Sequence, residues 1–263
     1  MKNILFITGA GSGIGKQASV EMSSLFGQLI LVGRDISKLK NTKESILQKD
    51  KSHADDSIIV YSCDLGNKDN IIKMIKDLDK TLSQALSISL VNNAAIFNGH
   101  QNFIDSSTDD WNNYFNINLM GSVNLTQAIL PYMKAKSFKD NAVIGDFHCI
   151  INIASTAGTR VVSGLSAYGS LKAALIYWSA ALALELGDKN ICVNVVAPGL
   201  IDTPIHDFYS KDNKNSEHYK QACNAQVLKK MGQPKDVVSA IKFLCKSSWV
   251  TGTTLTVDGG ISV

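Results

Sequence analysis

Seven short apolar runs punctuate the sequence: ILFIT (4–8), QLILVGR (28–34), IIVYSCD (58–64), SISLVNNA (87–94), CIINIAS (149–155), ICVNVVAPG (191–199) and TLTVDGG (254–260). Several are apolar at consecutive positions, so neither face of the segment can meet water. A strand of that kind lies between two covering layers. Helix-like stretches fill the intervals at 14–26, 36–50, 68–84, 108–135, 166–187 and 234–246. Strand and helix in alternation predict an α/β fold: a doubly wound parallel sheet with helices on both faces. The 263 residues suit one such domain, 1–263, and no linker, repeat or low-complexity tract divides them.

Composition excludes several function classes. Lys and Arg exceed Asp and Glu by only three, too mild a balance for nucleic acid. The lysine-bearing stretches KSFKD and KDNKN lack interleaved aromatics and read as solvated loops. Cys63, Cys149, Cys192, Cys223 and Cys245 form no CxxC pair, and the first three sit in apolar runs. They read as core thiols of a reducing, cytoplasmic protein. His53, His100, His148, His206 and His218 lack ligand spacing, so no metal is expected. The apolar run in MKNILFI is too short for a secretory leader, and no stretch reaches the roughly 18 apolar residues of a membrane span.

The ends of the apolar runs carry the chemistry. The first leads into TGAGSGIG, with Gly9, Gly11, Gly13 and Gly15. Such a turn lets the backbone approach a pyrophosphate, and the following helix offers free N–H groups and the positive end of its dipole. The second ends at Gly33, where a dinucleotide-binding sheet usually offers an acid to the ribose; Arg34 follows. Its guanidinium can pair with a 2′-phosphate, favouring NADP(H) over NAD(H), or it can be a solvated loop residue before a capping Asp35. Asp64 can accept from an adenine amino group or cap a helix. Asn92 and Asn93, polar at a buried strand end, need partners; they can tie strand ends together or reach a ribose. Tyr168 and Lys172 stand one helical turn apart and face the same way.

TGAGSGIG, CDL, NNAA, Asn118 in NLMG, Ser155 in NIAS, Tyr168-x-x-x-Lys172, PGLIDT and the closing VTGTTLTVDGG come in the order and spacing of the short-chain dehydrogenases/reductases. The chain resembles that family over its whole length, with the 3-oxoacyl-carrier-protein reductases among the members it is similar to. The resemblance implies a Rossmann-like, seven-stranded parallel sheet, a nicotinamide cofactor and a catalytic group of Asn118, Ser155, Tyr168 and Lys172. It implies cofactor contacts from Gly9, Ser12, Gly13, Ile14, Gly15, Arg34, Asp64, Leu65, Asn92, Ala94, Tyr168, Lys172, Pro198, Gly199, Ile201 and Thr203. It also implies a homo-oligomer, dimer or tetramer, joined through helices 111–133 and 166–187; packing on the sheet alone would explain their apolar faces equally well. Ala95 departs from the family's usual glycine, Ser12 from the arginine of many NADP-linked members, and Leu171 from a frequent serine.

In those roles Tyr168 gives a proton to the oxygen of a carbonyl, Ser155 orients that oxygen, Asn118 holds a relay water, and Lys172 lowers the phenol's pKa. A free phenol titrates near 10, so work at neutrality needs roughly 3–4 kcal/mol of help. An ammonium about 4 Å away supplies about that much at an effective dielectric of about 20. The expected substrate is a small carbonyl or alcohol; Phe97, Val161, Val162, Phe208 and Tyr209 are expected to line its pocket and suggest an apolar portion, such as a carrier-bound acyl chain. Residues 202–226 are expected to form a lid, and the long loop 136–148 to border either the entrance or a subunit contact. Two other readings share these residues: an NAD-linked alcohol dehydrogenase of the same family, and a protein that binds the cofactor as a sensor with little turnover.

Overall fold

The structure is a computed structural model of the chain, and it describes residues 1–137, 139–205 and 217–263. Each apolar run forms a strand: β1 Lys2–Thr8, β2 Gln28–Gly33, β3 Ile58–Ser62, β4 Ala85–Asn92, β5 His148–Ile153, β6 Ile191–Pro198 and β7 Thr254–Val257. They make one parallel seven-stranded sheet in the order β3-β2-β1-β4-β5-β6-β7. The order reverses beside β1, so a crevice opens beyond the carboxyl ends of β1 and β4.

Successive side chains of β1 enter opposite cores. Leu5 and Ile7 pack with Met22, Leu39, Ile46 and Ile241, under helices α1 Gly13–Met22, α2 Ile36–Lys49 and, from the far end of the chain, Pro234–Lys246. Ile4 and Phe6 pack with Ile71, Met74, Leu125 and Leu186, from the helices on the other face. Those helices are α3 Lys68–Asp77, the short α4 Asp79–Ser83, α5 Thr108–Phe115, α6 Gly121–Ile129 and α7 Ser166–Leu186. Two more follow among the described residues: α8 Glu217–Asn224, and α9, the Pro234–Lys246 helix already placed. Each of these side chains, fully removed from water, stabilises the fold by about 1.5–3 kcal/mol. Cys63, Cys149 and Cys192 are buried, as their apolar surroundings in the sequence suggest.

Three features differ from the sequence pattern. The helix expected over 108–135 is interrupted by a π-helical turn, Asn116–Met120, between α5 and α6. A π turn holds one residue more than an α turn, and this one carries Asn118, whose side chain bonds both backbone groups of Ile96. The polar stretch 202–226 contains α8; residues 206–216, with Phe208 and Tyr209, lie outside the described residues. The described residues of the loop 136–148 do not line the crevice. Asn3 at the start of β1 donates to Ile144 O at 3.3 Å, and Asn190 ahead of β6 donates to Ser137 O at 3.3 Å. Both contacts lie at the amino ends of strands, the opposite end of the sheet.

His148 opens β5 at that same end and is 1% exposed. Its Nδ1 accepts the Ile88 N–H at 3.1 Å, so its Nε2 carries the proton donated to Lys134 O at 3.0 Å. Burial holds the ring neutral, with a pKa lowered to about 4. The unfolded chain takes up that proton near 6.5, so the folded state loses ground as pH falls from 6.5 towards 4, by about 3 kcal/mol in all. Denaturant melts across that interval should show the loss, and a His148→Gln variant should lack most of the slope.

Candidate active site

The site is built where β1 ends. Gly9 has a φ of 66°, a conformation that side-chain-bearing residues avoid, and it turns the chain sharply out of the strand. A Cβ on Gly15 would stand 2.2 Å from Gly9 O, so only glycine lets the helix pack onto the turn. Ser12 precedes α1 in extended conformation with no side-chain bond to the helix, and no acid occupies the first turn. The N–H groups of α1 therefore face the crevice as anion donors.

A clasp holds the two crevice-forming strands. Thr8 Oγ1 accepts the N–H groups of Asn93 and Ala94 at 2.9 and 3.0 Å. Asn93 Nδ2 returns to Thr8 O at 2.9 Å. Its neighbour Asn92 turns inward, donating to Asn152 Oδ1 at 2.8 Å and Thr126 Oγ1 at 3.2 Å. Asn92 ties strands and helices together in the interior and does not reach the crevice, contrary to the cofactor role expected for it. Asn93 takes the crevice position instead.

Gly9, Ser12, Gly13, Ile14, Arg34, Asp64, Leu65, Ala94, Ser155, Tyr168, Lys172, Pro198, Gly199, Ile201 and Thr203 all line one cleft. Gly15 lies beneath the turn. Asn118 is also set back, 1% exposed, its amide engaged at 2.8 and 2.9 Å with Ile96 N and O. Asp35 caps α2, accepting from Ser37 N and Lys38 N at 2.9 and 3.1 Å. Asp64 takes the Gly66 N–H at 3.0 Å, and the helix cap foreseen as its other role belongs to Asn67. Arg34 is exposed at the rim and forms no ion pair among the described residues. Lys38, one turn along α2, lines the same rim. The sequence offered a signal for Lys38 in its i+4 spacing from Arg34; it offered none for Ile96 and Ile117, which also line the cleft.

The far end of the cleft holds Ser155, Tyr168 and Lys172, the candidate catalytic groups. Ser155, two residues beyond β5, accepts the Ala157 N–H at 3.1 Å, and its side chain lies near enough to the Tyr168 hydroxyl to pull the phenol's pKa down. Tyr168 and Lys172 project from the first two turns of α7. The Lys172 ammonium is buried, donates to Ile153 O at 2.8 Å and stands 5.7 Å from the centre of the Tyr168 ring. Burial lowers its pKa to about 8. Burial also pushes Tyr168 up to about 12, against the pull of Ser155 and aided by Tyr114. This reverses the depressed phenol expected from the sequence. The ammonium gives its hydrogen bond to Ile153, and desolvation of a phenolate in this apolar surround outweighs its charge.

A family model described as enoyl-(acyl carrier protein) reductase matches residues 9–262. The chain belongs to the short-chain dehydrogenase/reductase family. It is 31% identical over 264 residues to the 3-oxoacyl-[acyl-carrier-protein] reductase FabG of Thermotoga maritima, covering 99% of this chain and 98% of that one. It is 31% identical over 262 residues to the (2S)-[(R)-hydroxy(phenyl)methyl]succinyl-CoA dehydrogenase subunit BbsD of Thauera aromatica, covering 99% and 96%. The solved structure of ElxO with NADP bound superposes with a TM-score of 0.83 at 27% identity, covering 99% of both chains. This short-chain dehydrogenase/reductase is thus a nicotinamide-dependent oxidoreductase acting on a carbonyl and CH–OH pair. Among the described residues no cluster of His, Cys, Asp or Glu could hold a metal, and no helix is long and apolar enough to cross a membrane.

The buried ammonium leaves a signature in stability. Between pH 8 and 10.5 the folded chain carries Lys172 neutral while the unfolded chain keeps the proton. Stability attributable to this group therefore rises with pH across that window. Melts of the cofactor-free wild type and of Lys172→Met share every other titration. The wild type should gain about 3 kcal/mol on the variant from one end of the window to the other; a constant difference would contradict the burial effect.

Proposed function

We propose that this protein is an NADP(H)-dependent reductase of ketones, with Tyr168 as the proton donor. The observation that carries the reading is the convergence of Ser155, Tyr168 and Lys172 at the inner end of the cleft that begins at the glycine turn. A bound dinucleotide supplies the hydride. The chain's own groups do the rest. Ser155 holds the carbonyl oxygen beside the phenol. Tyr168, protonated at ordinary pH, donates to that oxygen as negative charge grows on it. A developing alkoxide is a stronger base than a phenolate, so a phenol with a raised pKa still serves as its acid. Lys172 keeps positive charge beside the phenolate left behind and offers its remaining N–H donors to ribose hydroxyls.

The preference for NADP(H) over NAD(H) rests on the rim of the cleft. β2 ends in Gly33 with no acid at that position, Asp35 is engaged in capping α2, and Arg34 and Lys38 line the same cleft. That is a site for a 2′-phosphate. The names of the FabG and BbsD relatives, one on a carrier protein and one on CoA, make acyl thioesters the first ketones to test. We place residues 1–263 in one domain; of the expected lid 202–226, residues 206–216 lie outside the described residues. The five free cysteines fit a reducing, cytoplasmic setting.

Fluorescence titration tests the cofactor reading and a turnover assay tests the chemistry. The wild type should bind NADPH at least tenfold more tightly than NADH. Arg34→Ala should lose most of that difference and leave NADH binding within about twofold. Tyr168→Phe should bind NADPH normally and lose at least a hundredfold in ketone reduction. Equal affinities untouched by Arg34→Ala would turn the assignment to NAD.

The outward face of α7 supports assembly into a homo-oligomer. Tyr177 and Leu184 on it are 81% and 87% exposed in the single chain. Two large apolar groups on one helix face suit burial against a second copy. Light scattering should report a dimer or tetramer, and Leu184→Glu should shift it towards monomer.

A further inference from the structure

The segment after β4 has no regular structure, yet its backbone is held at alternate residues. The Ile96 N–H and C=O are taken by Asn118. The Asn98 N–H is taken by the hydroxyl of Tyr114 at 2.8 Å. Between these two anchors Phe97 lies edge-on to the Tyr168 ring, with centroids 5.0 Å apart. Tyr114, 4% exposed, meets the same ring edge-on at 6.2 Å. Further along, Gln101 N donates to Gly164 O at 2.9 Å, and His100 Nδ1 lies 3.1 Å from Ser163 O. The segment therefore bridges from the end of β4 to the loop that follows Ser155, and Tyr114 fastens it midway.

We propose that Tyr114 is a positioning residue: its hydroxyl pins the Asn98 amide and thereby holds Phe97 as the apolar wall beside Tyr168, against which the substituent of the substrate carbonyl rests. The proposal rests on the ketone-reductase reading above and names a residue that reading does not use. Two anchors four positions apart, Tyr114 in α5 and Asn118 in the π turn that follows, share one helix face and both reach the segment. An amide without its acceptor would let the segment, and Phe97 with it, move away from the ring. The ligand feature this wall recognises is a flat or branched apolar group next to the carbonyl. An ionic substituent there would lie against two aromatic rings with no partner among these residues.

Tyr114→Phe removes the hydroxyl and keeps the ring. Three measurements on the full chain decide the matter. Hydrogen exchange of the peptide spanning 94–101 should quicken at least tenfold, while the glycine-turn peptide is unchanged. The NADPH dissociation constant should stay within twofold. For a ketone bearing a large apolar substituent KM should rise at least fivefold with kcat within twofold, and for a small methyl ketone KM should move little. Phe97→Leu, which leaves the Tyr114–Asn98 bond in place, should reproduce the selective KM rise without the faster exchange. Unchanged exchange in Tyr114→Phe, or a KM that does not move, overturns the proposal. A wild type that reduces no ketone in the panel overturns the functional reading instead, and the exchange result alone then decides whether Tyr114 is the pin.

Discussion

The hydroxyl of Thr8 takes two backbone N–H groups from the far side of the crevice, and much of the molecule follows from that choice. At the carboxyl edge of a parallel sheet the outgoing chains from β1 and β4 must diverge, and their backbone groups lose the neighbouring strand that satisfied them. Thr8 and Asn93 supply those partners at the point of divergence. The glycine turn can then leave β1 sharply, and the chain after β4 can leave in the other direction. The gap between them is the cleft. A buried polar group without a partner costs on the order of 1–3 kcal/mol, so the clasp is also a reason for the gap to have one shape. Below it, Asn92, Asn152 and Ser179 continue the same logic into the interior, linking β4, β5 and α7.

The inner end of the cleft shows how burial and charge divide their effects between an acid and a base. Tyr168 and Lys172 sit in one apolar surround, and desolvation drives their titrations apart, the phenol up to about 12 and the ammonium down to about 8. Both shifts favour the neutral member of each couple. In the phenol that member carries the proton, which the proposed reaction would give away. In the lysine it is the member without charge, and the bond to Ile153 O keeps the ammonium oriented while it lasts. The pair is best described as a retained proton beside a destabilised cation.

The sheet was legible because strands buried on both faces must be apolar throughout, and each of the seven runs became a strand. The strand-end motifs were legible because a ligand that approaches backbone requires glycine, and a proton donor requires a titratable group. The remainder depended on contacts that sequence spacing does not reveal. The π turn in 108–135 preserves an apolar pattern that a continuous helix would also show. Asn92 and Asn93 are chemically identical, and which one faces the cleft follows from the half-turn between consecutive strand residues. The direction of the Tyr168 shift needed its surroundings as well as its neighbour: Lys172 was placed correctly on the same helix face, but its reach to Ile153 was invisible. Tyr114 lacked any local signal, since a tyrosine on an amphipathic helix usually only packs.

β5 carries very different groups at its two ends. His148 opens it, sealed in neutral form among backbone partners, and Ser155 stands just past its close. At about 3.3 Å per residue the two lie roughly 20 Å apart. Acid therefore acts on the scaffold through one end of a strand whose other end reaches the cleft. A decline in turnover below neutral pH would record the population of folded molecules, whereas a decline in alkali would record the protonation of the reactive groups themselves. The two limbs of such a profile would be readings from separate instruments, distinguishable because only the first would be accompanied by loss of the folded signal.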